Sequence, residues 1–395
     1  MSGGMTRRRG RNGDRKNRPT PRPRPRHPPL IAAEARESER LGRLTDPVDA
    51  ALKNADLFSM LRPRSVGGLG CSRVEFFDTV EEVARADGAT GWCLSVCAAV
   101  IEFIHQGGSA EVNAEIFGSG PTAVWTSLLP RAVSKRVEGG YRISGSFSMG
   151  SGSCLADWVL VASPLEDRDG NQWFRAHVLP KDDVVIDPAS WDAMGLRGTA
   201  SIAYTVRDCF VPEHRAFEYP YLKGGARGSV STLSAAFLNQ IGLTAFASGV
   251  ARRAMSELIA AAPKIRRTVG DGFQSDDNVV QFGIGELEGR LAAARTHFLS
   301  RVADQDRQIA EHGFVDAGGT LSLSQAAQIL ARASRDMTIF AFDNAGTNVV
   351  FSDHPLQRCL RDIFTGLKHA SFTPAILTRA GKARLGVQAA PSRLT

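Results

Sequence analysis

The spacing of apolar residues along this 395-residue chain changes twice, and this change limits the possible fold more than any single motif. Residues 31–120 carry apolar side chains three and four positions apart, which is typical of amphipathic helices. Residues 121–229 alternate apolar and polar side chains between closely spaced glycines and prolines, which is typical of short strands. Residues 230–395 return to the helical spacing. We therefore predict an α+β fold of three domains in the order helices, sheet, helices.

Each block predicts particular elements. The N-terminal helical domain contains helices near residues 31–43, 74–86 and 91–103. The central domain contains strands that begin at Tyr141, Trp158, Trp173 and Ile202, as expected for a small antiparallel barrel or sandwich. The C-terminal domain contains four long helices, about 233–262, 276–312, 322–346 and 354–384. Four helices of this length predict a four-helix bundle.

The positive charge is concentrated in residues 1–30, which we predict to be a disordered tail. The formal net charge is +7, but the tail holds ten Lys and Arg against one Asp, so the other 365 residues sum to −2. Alternating Arg and Pro without an aromatic residue cannot bury apolar surface. A nucleic-acid-binding arm and a solvated extension both fit this composition, and the extension is favoured because stacking aromatics are absent. No apolar run marks a signal peptide or a membrane span.

The six cysteines are more consistent with buried thiols than with a metal site. None forms a C-x-x-C pair, and no Cys/His group has the spacing of metal ligands. Small buried cysteines without disulfides are typical of a reducing cytoplasm. We therefore expect a cytoplasmic protein without a metal ion.

Several motifs, taken with the order of the blocks, resemble the acyl-CoA dehydrogenase superfamily over about residues 31–386. They are Asp87-Gly-Ala-Thr-Gly-Trp92, the segment 139–158, and Met194-Gly-Leu-Arg-Gly-Thr-Ala-Ser201 followed by Phe210-Val-Pro-Glu213. The chain is most similar to the branch of two-component flavin-dependent monooxygenases, which includes aromatic hydroxylases and dibenzothiophene monooxygenases. The resemblance implies reduced FMN or FAD as cofactor, O2 as co-substrate, a separate NAD(P)H-dependent flavin reductase and a homotetramer. It also implies that one oxygen atom enters a small aromatic or polycyclic substrate through a flavin C4a-hydroperoxide.

The resemblance implies that Ser151 and His369 are the catalytic residues. The family's Ser or Thr at this place binds the flavin near N5, and because a hydroxyl can both donate and accept a hydrogen bond, Ser151 could hold reduced flavin and then its peroxide adduct. His369, expected on the last helix, would face the reactive edge of the flavin and stabilise the hydroperoxide or transfer a proton near neutral pH. Considered without the family, Ser151 also fits a turn serine, and His369 also fits an ordinary helix histidine.

The flavin site is implied to be shared between subunits. The residues implied to line the ring are Trp125, Thr126, Ser127 and Met149, although Met149 also fits the core of the central domain. From a neighbouring chain, Arg266 or Arg267 would meet the flavin phosphate, since a guanidinium suits that group. Gly346 and Thr347 would close on the cofactor, although a glycine there also fits a helix C-cap.

The implied substrate contacts are Trp92, Val100 and Glu102. Phenol hydroxylases of this branch often have a histidine where Val100 stands. Glu102 or His105 would then have to replace it, or the substrate is less acidic or is oxidised at nitrogen or sulfur. Glu102 also fits an exposed carboxylate on a helix.

Acyl-CoA dehydrogenases need a carboxylate base, and this chain has none at either of the family's usual positions. Those positions align near Ala370 and near Ala245–Phe246. A base must lie within hydrogen-bond reach of the proton that it removes, so thioester dehydrogenation is disfavoured. Two alternatives stay open: a flavin oxidoreductase of the same fold with an unconventional base, and a non-catalytic protein that kept the fold.

Overall fold

The computed structural model describes residues 28–127, 131–166, 172–218, 230–231, 235–267 and 270–387. The predicted basic tail lies outside these residues except for Pro28–Leu30, which begin the first helix. The disorder of the tail therefore stays a prediction.

Five helices make up the first block: α1 (Pro28–Leu41), α2 (Asp46–Asn54), α3 (Arg73–Ala86), α4 (Gly88–Gly107) and α5 (Ala110–Phe117). The three predicted helices correspond to α1, α3 and α4. The pattern did not predict α2 and α5, because eight or nine residues contain too few turns for a clear period. Ser72 begins α3 with a capping box to Glu75, and Asp87 begins α4 by accepting a hydrogen bond from the Thr90 backbone N–H at 2.8 Å.

In the described part of the central block, eight strands form two four-stranded sheets: β1 (Val124–Thr126), β2 (Val133–Val137), β3 (Gly140–Gly150), β4 (Trp158–Glu166), β5 (Gln172–Pro180), β6 (Val184–Asp187), β7 (Ile202–Pro212) and β8 (Ala216–Glu218). Their orders are β1-β4-β5-β8 and β2-β3-β7-β6. Ring side chains from the two sheets pack against each other. The ring centroids are 5.3 Å apart for Tyr141 and His177, and 4.5 Å apart for Trp125 and Tyr204. The predicted sandwich is confirmed, except that β1 pairs with β4 in parallel. A short antiparallel pair, β9 (Val230–Ser231) and β10 (Phe314–Val315), lies outside both sheets.

The last block is helical: α6 (Ala235–Ala261), α7 (Asn278–His312), α8 (Ala317–Asn344), α9 (Pro355–Gly366) and α10 (Ala375–Arg384). The prediction of one helix over 354–384 is wrong in its middle, because residues 367–374 separate α9 from α10. Pro374 has no backbone N–H and disfavours helical backbone at Thr373. His369, predicted to lie on a helix, therefore lies in this break.

Helix α4 runs through the centre of the molecule, packed against α3, α6, α9 and β1. Within the described ranges it is the one helix long and apolar enough to cross a membrane. Its best 18-residue window is 89% buried, which is what the core helix of a globular fold requires. Its N-terminal end meets both the sandwich and the break between α9 and α10.

Candidate active site

Three predicted site residues from distant parts of the chain meet at the N-terminal end of α4. Trp92 Nε1 donates a hydrogen bond to Ser151 Oγ at 3.1 Å. The Trp92 ring also lies edge-on to the His369 imidazole, with centroids 6.0 Å apart, and edge-on to Phe246 of α6 at 5.2 Å. Trp92 therefore connects the two predicted catalytic residues, and the structure brings all three together.

A buried cluster of charges holds the segments that carry these residues. Asp87 at the start of α4 lies 3.9 Å from Arg358 of α9, measured from Oδ1 to Nε. Asp362 of the same helix accepts a hydrogen bond from the Leu196 backbone N–H at 2.6 Å. Burial, together with the negative charge of Asp87, raises the pKa of Asp362 to about 7. The cluster thus ties α4 and the loop before β7 to the helix that leads to His369.

Ser151 begins a chain of buried hydroxyl groups. Its Oγ lies 2.6 Å from Ser201 Oγ, which lies 2.6 Å from Thr199 Oγ1. Thr199 Oγ1 donates to the Leu196 carbonyl at 2.7 Å. Thr199 and Ser201 belong to the family motif of residues 194–201, but they were not predicted as site residues. The pairing of β3 with β7, in which Gly150 faces Ile202, puts these hydroxyls beside Ser151.

His369 is held in one tautomer by its neighbours. Its Nδ1 accepts a hydrogen bond from the Ser371 backbone N–H at 3.2 Å and lies 3.0 Å from Ser371 Oγ. Burial lowers the pKa of the imidazole to about 4, so the ring is neutral at pH 7 and its proton is on Nε2. Gln240 of α6 donates to the Ser371 carbonyl at 3.4 Å and accepts from Ser324 at 3.0 Å. Nothing in the local sequence pattern identified Ser371 or Gln240.

The predicted ring-lining residues lie on and beside β1 and at the end of β3. Trp125 is fully buried against Tyr204, and its Nε1 has no hydrogen-bond partner among the described residues. Thr126 Oγ1 donates to a carbonyl of β4 at 2.8 Å, and the Ser127 backbone N–H donates to the Tyr204 hydroxyl at 3.2 Å. Met149 is 73% exposed, with a φ of 60°, so it is not part of the sandwich core.

The other predicted substrate residues lie further along α4. Glu102 is ten residues from Trp92, a rise of about 15 Å, and Val100 is fully packed in the core. Glu102 is buried rather than exposed. Gln106 donates to its Oε1, whereas its Oε2 has no partner within the described part of the chain. Burial raises the pKa of Glu102 to about 7. Together with side chains of α3, α6 and α7, it lines a separate cavity of about 310 Å³.

Arg266 and Gly346–Thr347 lie together at the far end of α6. Gly346 has a φ of 75°, and a Cβ built there would lie 3.3 Å from the side chain of Ile265, next to Arg266. Arg266 forms an isolated backbone bridge with Phe273. Fifteen helical residues separate this end of α6 from Phe246, a rise of about 22 Å. These residues are therefore remote from Trp92, Ser151 and His369 of their own chain.

The groups that meet at the end of α4 fit a flavin ring. An isoalloxazine needs flat apolar neighbours and hydrogen-bonding groups along one edge. Trp92 and Phe246 supply aromatic surface, Ser151 retains the capacity for one further hydrogen bond, and His369 offers a neutral N–H.

Comparisons with known proteins agree with this assignment. The family model "Acyl-CoA dehydrogenase, N-terminal domain" matches residues 29–118, and "Acyl-CoA dehydrogenase, C-terminal domain" matches residues 241–374. The chain is 30% identical over 378 residues to the pigment production hydroxylase of Rhodococcus erythropolis, covering 90% of this chain and 93% of that protein. It is 28% identical over 370 residues to the flavin-dependent monooxygenase oxygenase subunit HsaA of Mycobacterium tuberculosis, covering 88% and 90%.

A solved structure shows the same fold. XiaF from Streptomyces sp., in complex with FADH2 and glycerol, matches with a TM-score of 0.83 at 20% identity, over 93% of this chain and 95% of that one. The predicted relationship is confirmed: this chain belongs to the acyl-CoA dehydrogenase superfamily, within its branch of two-component flavin-dependent monooxygenases.

Proposed function

We propose that this chain is the oxygenase component of a two-component system. It takes FMNH2 or FADH2 from a separate NAD(P)H-dependent flavin reductase and inserts one oxygen atom of O2 into a small aromatic or polycyclic substrate. The observation that carries this proposal is the meeting of Trp92, Ser151 and a neutral His369 where a dehydrogenase would present a carboxylate.

The positions of the dehydrogenase base support the same conclusion. Phe246 stands at one of them and packs against Trp92, and Ala370 stands at the other, in the turn that follows His369. The buried acids Asp87 and Asp362 bind Arg358 and the Leu196 N–H instead. Neither usual position holds a side chain able to remove the α-proton of a thioester.

The side chains at this site have separable tasks. Reduced flavin, when bound, supplies the two electrons that reduce one atom of O2 to water while the other atom enters the substrate. Ser151 would hold the ring edge by a hydrogen bond, and Trp92 orients Ser151 by donating to its Oγ. The neutral His369 imidazole would offer its Nε2–H as a hydrogen-bond donor without having to ionise. The buried surroundings exclude water, which would otherwise favour loss of peroxide.

A single experiment tests the reaction class. Protein loaded anaerobically with FADH2 or FMNH2 is mixed with ¹⁸O2 and a panel of phenols, indole and aryl sulfides, and the products are analysed by mass spectrometry. We expect one ¹⁸O atom per product molecule. Anaerobic oxidation of butyryl-CoA with an artificial electron acceptor would instead support a dehydrogenase. Failure to bind either flavin would support a non-catalytic protein.

Val100 favours a second candidate reaction. It stands where phenol hydroxylases of the branch often have a histidine, and it is fully buried in the core. A valine cannot assist phenolate formation. Oxidation at nitrogen or sulfur does not require the substrate to be deprotonated, so it does not need a base at this position. The same ¹⁸O2 panel separates the two candidates, because it reports which substrate atom carries the label.

The position of Arg266 and Gly346–Thr347 supports a homotetramer with shared flavin sites. Their end of the bundle also exposes four large apolar side chains, namely Val279, Phe282, Val350 and Phe351, each more than 60% exposed. Exposed apolar groups of this size are typical of subunit contacts, and D2 symmetry is common among homotetramers. Arg266 is the stronger phosphate ligand of the predicted pair, because Arg267 is paired with Asp277 at 3.0 Å.

Light scattering tests the assembly. The wild type should elute with the mass of a tetramer, and Phe282→Asp should produce smaller species that bind FADH2 more weakly. A monomeric wild type with full flavin affinity would contradict the shared site.

Six unpaired cysteines, all within the described residues, are also what we expect of a protein in the cytoplasm.

A further inference from the structure

We propose that Thr199 and Ser201 are positioning residues that turn the Ser151 hydroxyl into a pure hydrogen-bond acceptor toward its ligand. This orientation makes the site prefer reduced flavin over oxidised flavin. The inference depends on the proposed function, since it assumes that Ser151 contacts N5 of the flavin ring.

The direction of every hydrogen bond in the chain follows from counting protons. The Leu196 carbonyl can only accept, so the single hydroxyl proton of Thr199 is committed to it at 2.7 Å. Thr199 must then accept from Ser201, and the proton of Ser201 is committed in turn. Ser201 must therefore accept from Ser151 at 2.6 Å. The one proton of Ser151 consequently points away from the ligand.

The remaining capacity of Ser151 is one lone pair. A hydroxyl oxygen accepts up to two hydrogen bonds, and the indole N–H of Trp92, which can only donate, uses one of them at 3.1 Å. The free lone pair complements a donor. N5 of reduced flavin carries a hydrogen, whereas N5 of oxidised flavin is a bare acceptor that would meet this lone pair unfavourably.

Burial keeps this arrangement in place. Thr199, Ser201 and Ser151 are 1%, 5% and 8% exposed, so water cannot readily supply alternative donors or acceptors. The carbonyl of Leu196, which fixes the direction at the far end, belongs to the residue whose N–H is bound by Asp362. The charge cluster that joins α4 and α9 thus also anchors the hydroxyl chain.

Two substitutions should release the proton of Ser151. In Thr199→Val, Ser201 loses its acceptor and can donate to Ser151, which frees Ser151 to donate to oxidised N5. In Ser201→Ala, Ser151 loses the partner that holds its proton. Each variant should lower the ratio of oxidised-flavin Kd to reduced-flavin Kd about tenfold, the scale of one hydrogen bond. The midpoint potential of the bound flavin should fall by about 30 mV for this two-electron couple.

The experiment measures FAD binding aerobically, FADH2 binding anaerobically, and the midpoint potential of the bound flavin. Thr338→Val is the matched control, because Thr338 is also buried and donates to a backbone carbonyl, that of Ser334 on α8, but takes no part in the hydroxyl chain. It should leave the Kd ratio unchanged. Circular dichroism establishes that each variant is folded, and Ser201→Ala keeps the test decisive if Thr199→Val does not fold.

The possible results separate failure of the hydroxyl-chain inference from failure of the proposed oxygenase function. A wild type that binds FADH2 more tightly than FAD, with a reduced ratio in either folded variant, supports the inference. A wild type without this preference, an unchanged ratio in the folded variants, or the same change in Thr338→Val overturns the inference while leaving the oxygenase assignment intact. A wild type that binds neither flavin overturns the proposed function itself.

Discussion

Replacing Glu102 with glutamine should make the stability of this protein less dependent on pH. Glu102 is only 6% exposed, its Oε2 has no hydrogen-bond partner among the described side chains, and its pKa is raised from 4.5 to about 7 by burial. A carboxyl group in this position resists ionisation, because the negative charge loses more by desolvation than it regains from the Gln106 hydrogen bond and the charges of Arg62 and Arg73.

The magnitude follows from the two pKa values. The folded protein holds the Glu102 proton more tightly than the unfolded chain does, so this group's contribution to stability is fully present below pH 4.5 and is lost as the pH rises to about 7. Between pH 5 and pH 8 this loss amounts to about 2.5 kcal/mol. Glutamine does not titrate, so Glu102→Gln should gain about 2.5 kcal/mol relative to the wild type across this interval. Any constant cost of the buried amide cancels in the comparison.

Urea unfolding at pH 5, 6, 7 and 8, followed by tryptophan fluorescence at one protein concentration, measures this gain. A fixed concentration is needed because assembly of subunits adds to apparent stability. Glu138→Gln is the control, since Glu138 is exposed in the turn between β2 and β3. A stability difference between Glu102→Gln and the wild type that stays constant from pH 5 to pH 8 would refute the reasoning. A difference that merely follows Glu138→Gln would do the same.

Three further predictions concern the candidate flavin site and the stability of the fold around it. Ser151→Ala should weaken FADH2 binding about tenfold in anaerobic titrations, and unchanged affinity would remove Ser151 from the flavin site. His369→Ala should raise the amount of H2O2 released per flavin oxidised. In the wild type this amount should stay constant from pH 5 to pH 8, because burial lowers the pKa of His369 to about 4. A change in H2O2 release near pH 6.5 would contradict the neutral state of His369. Gly195→Ala would place a Cβ 2.1 Å from the Arg361 carbonyl oxygen, so it should lower Tm by many degrees. Gly285→Ala would place a Cβ that meets no described atom within 4 Å, so it should stabilise α7 by about 0.5–1 kcal/mol.

The order of the blocks could be predicted because periodicity is local information. A regular spacing of apolar residues, visible within about ten residues, marks helices α3 and α4 and strands β3, β4, β5 and β7. The break between α9 and α10 was not predicted, because the apolar spacing continues across residues 367–374 although α9 ends at Gly366 and Pro374 stands immediately before α10. The parallel pairing of β1 with β4 was equally invisible, since it joins segments more than thirty residues apart.

By itself, the sequence determined which chemical groups are available: a serine after β3, a histidine at position 369, and no carboxylate at Ala370 or Phe246. Those identities do not depend on packing, so the sequence was sufficient to disfavour thioester dehydrogenation, while it left a flavin oxidoreductase with an unconventional base open. The tertiary structure alone decided what state those groups are in. The proton of Ser151 points toward Ser201, the proton of His369 is on Nε2, and Glu102 is buried, because each state depends on contacts that only the folded chain makes.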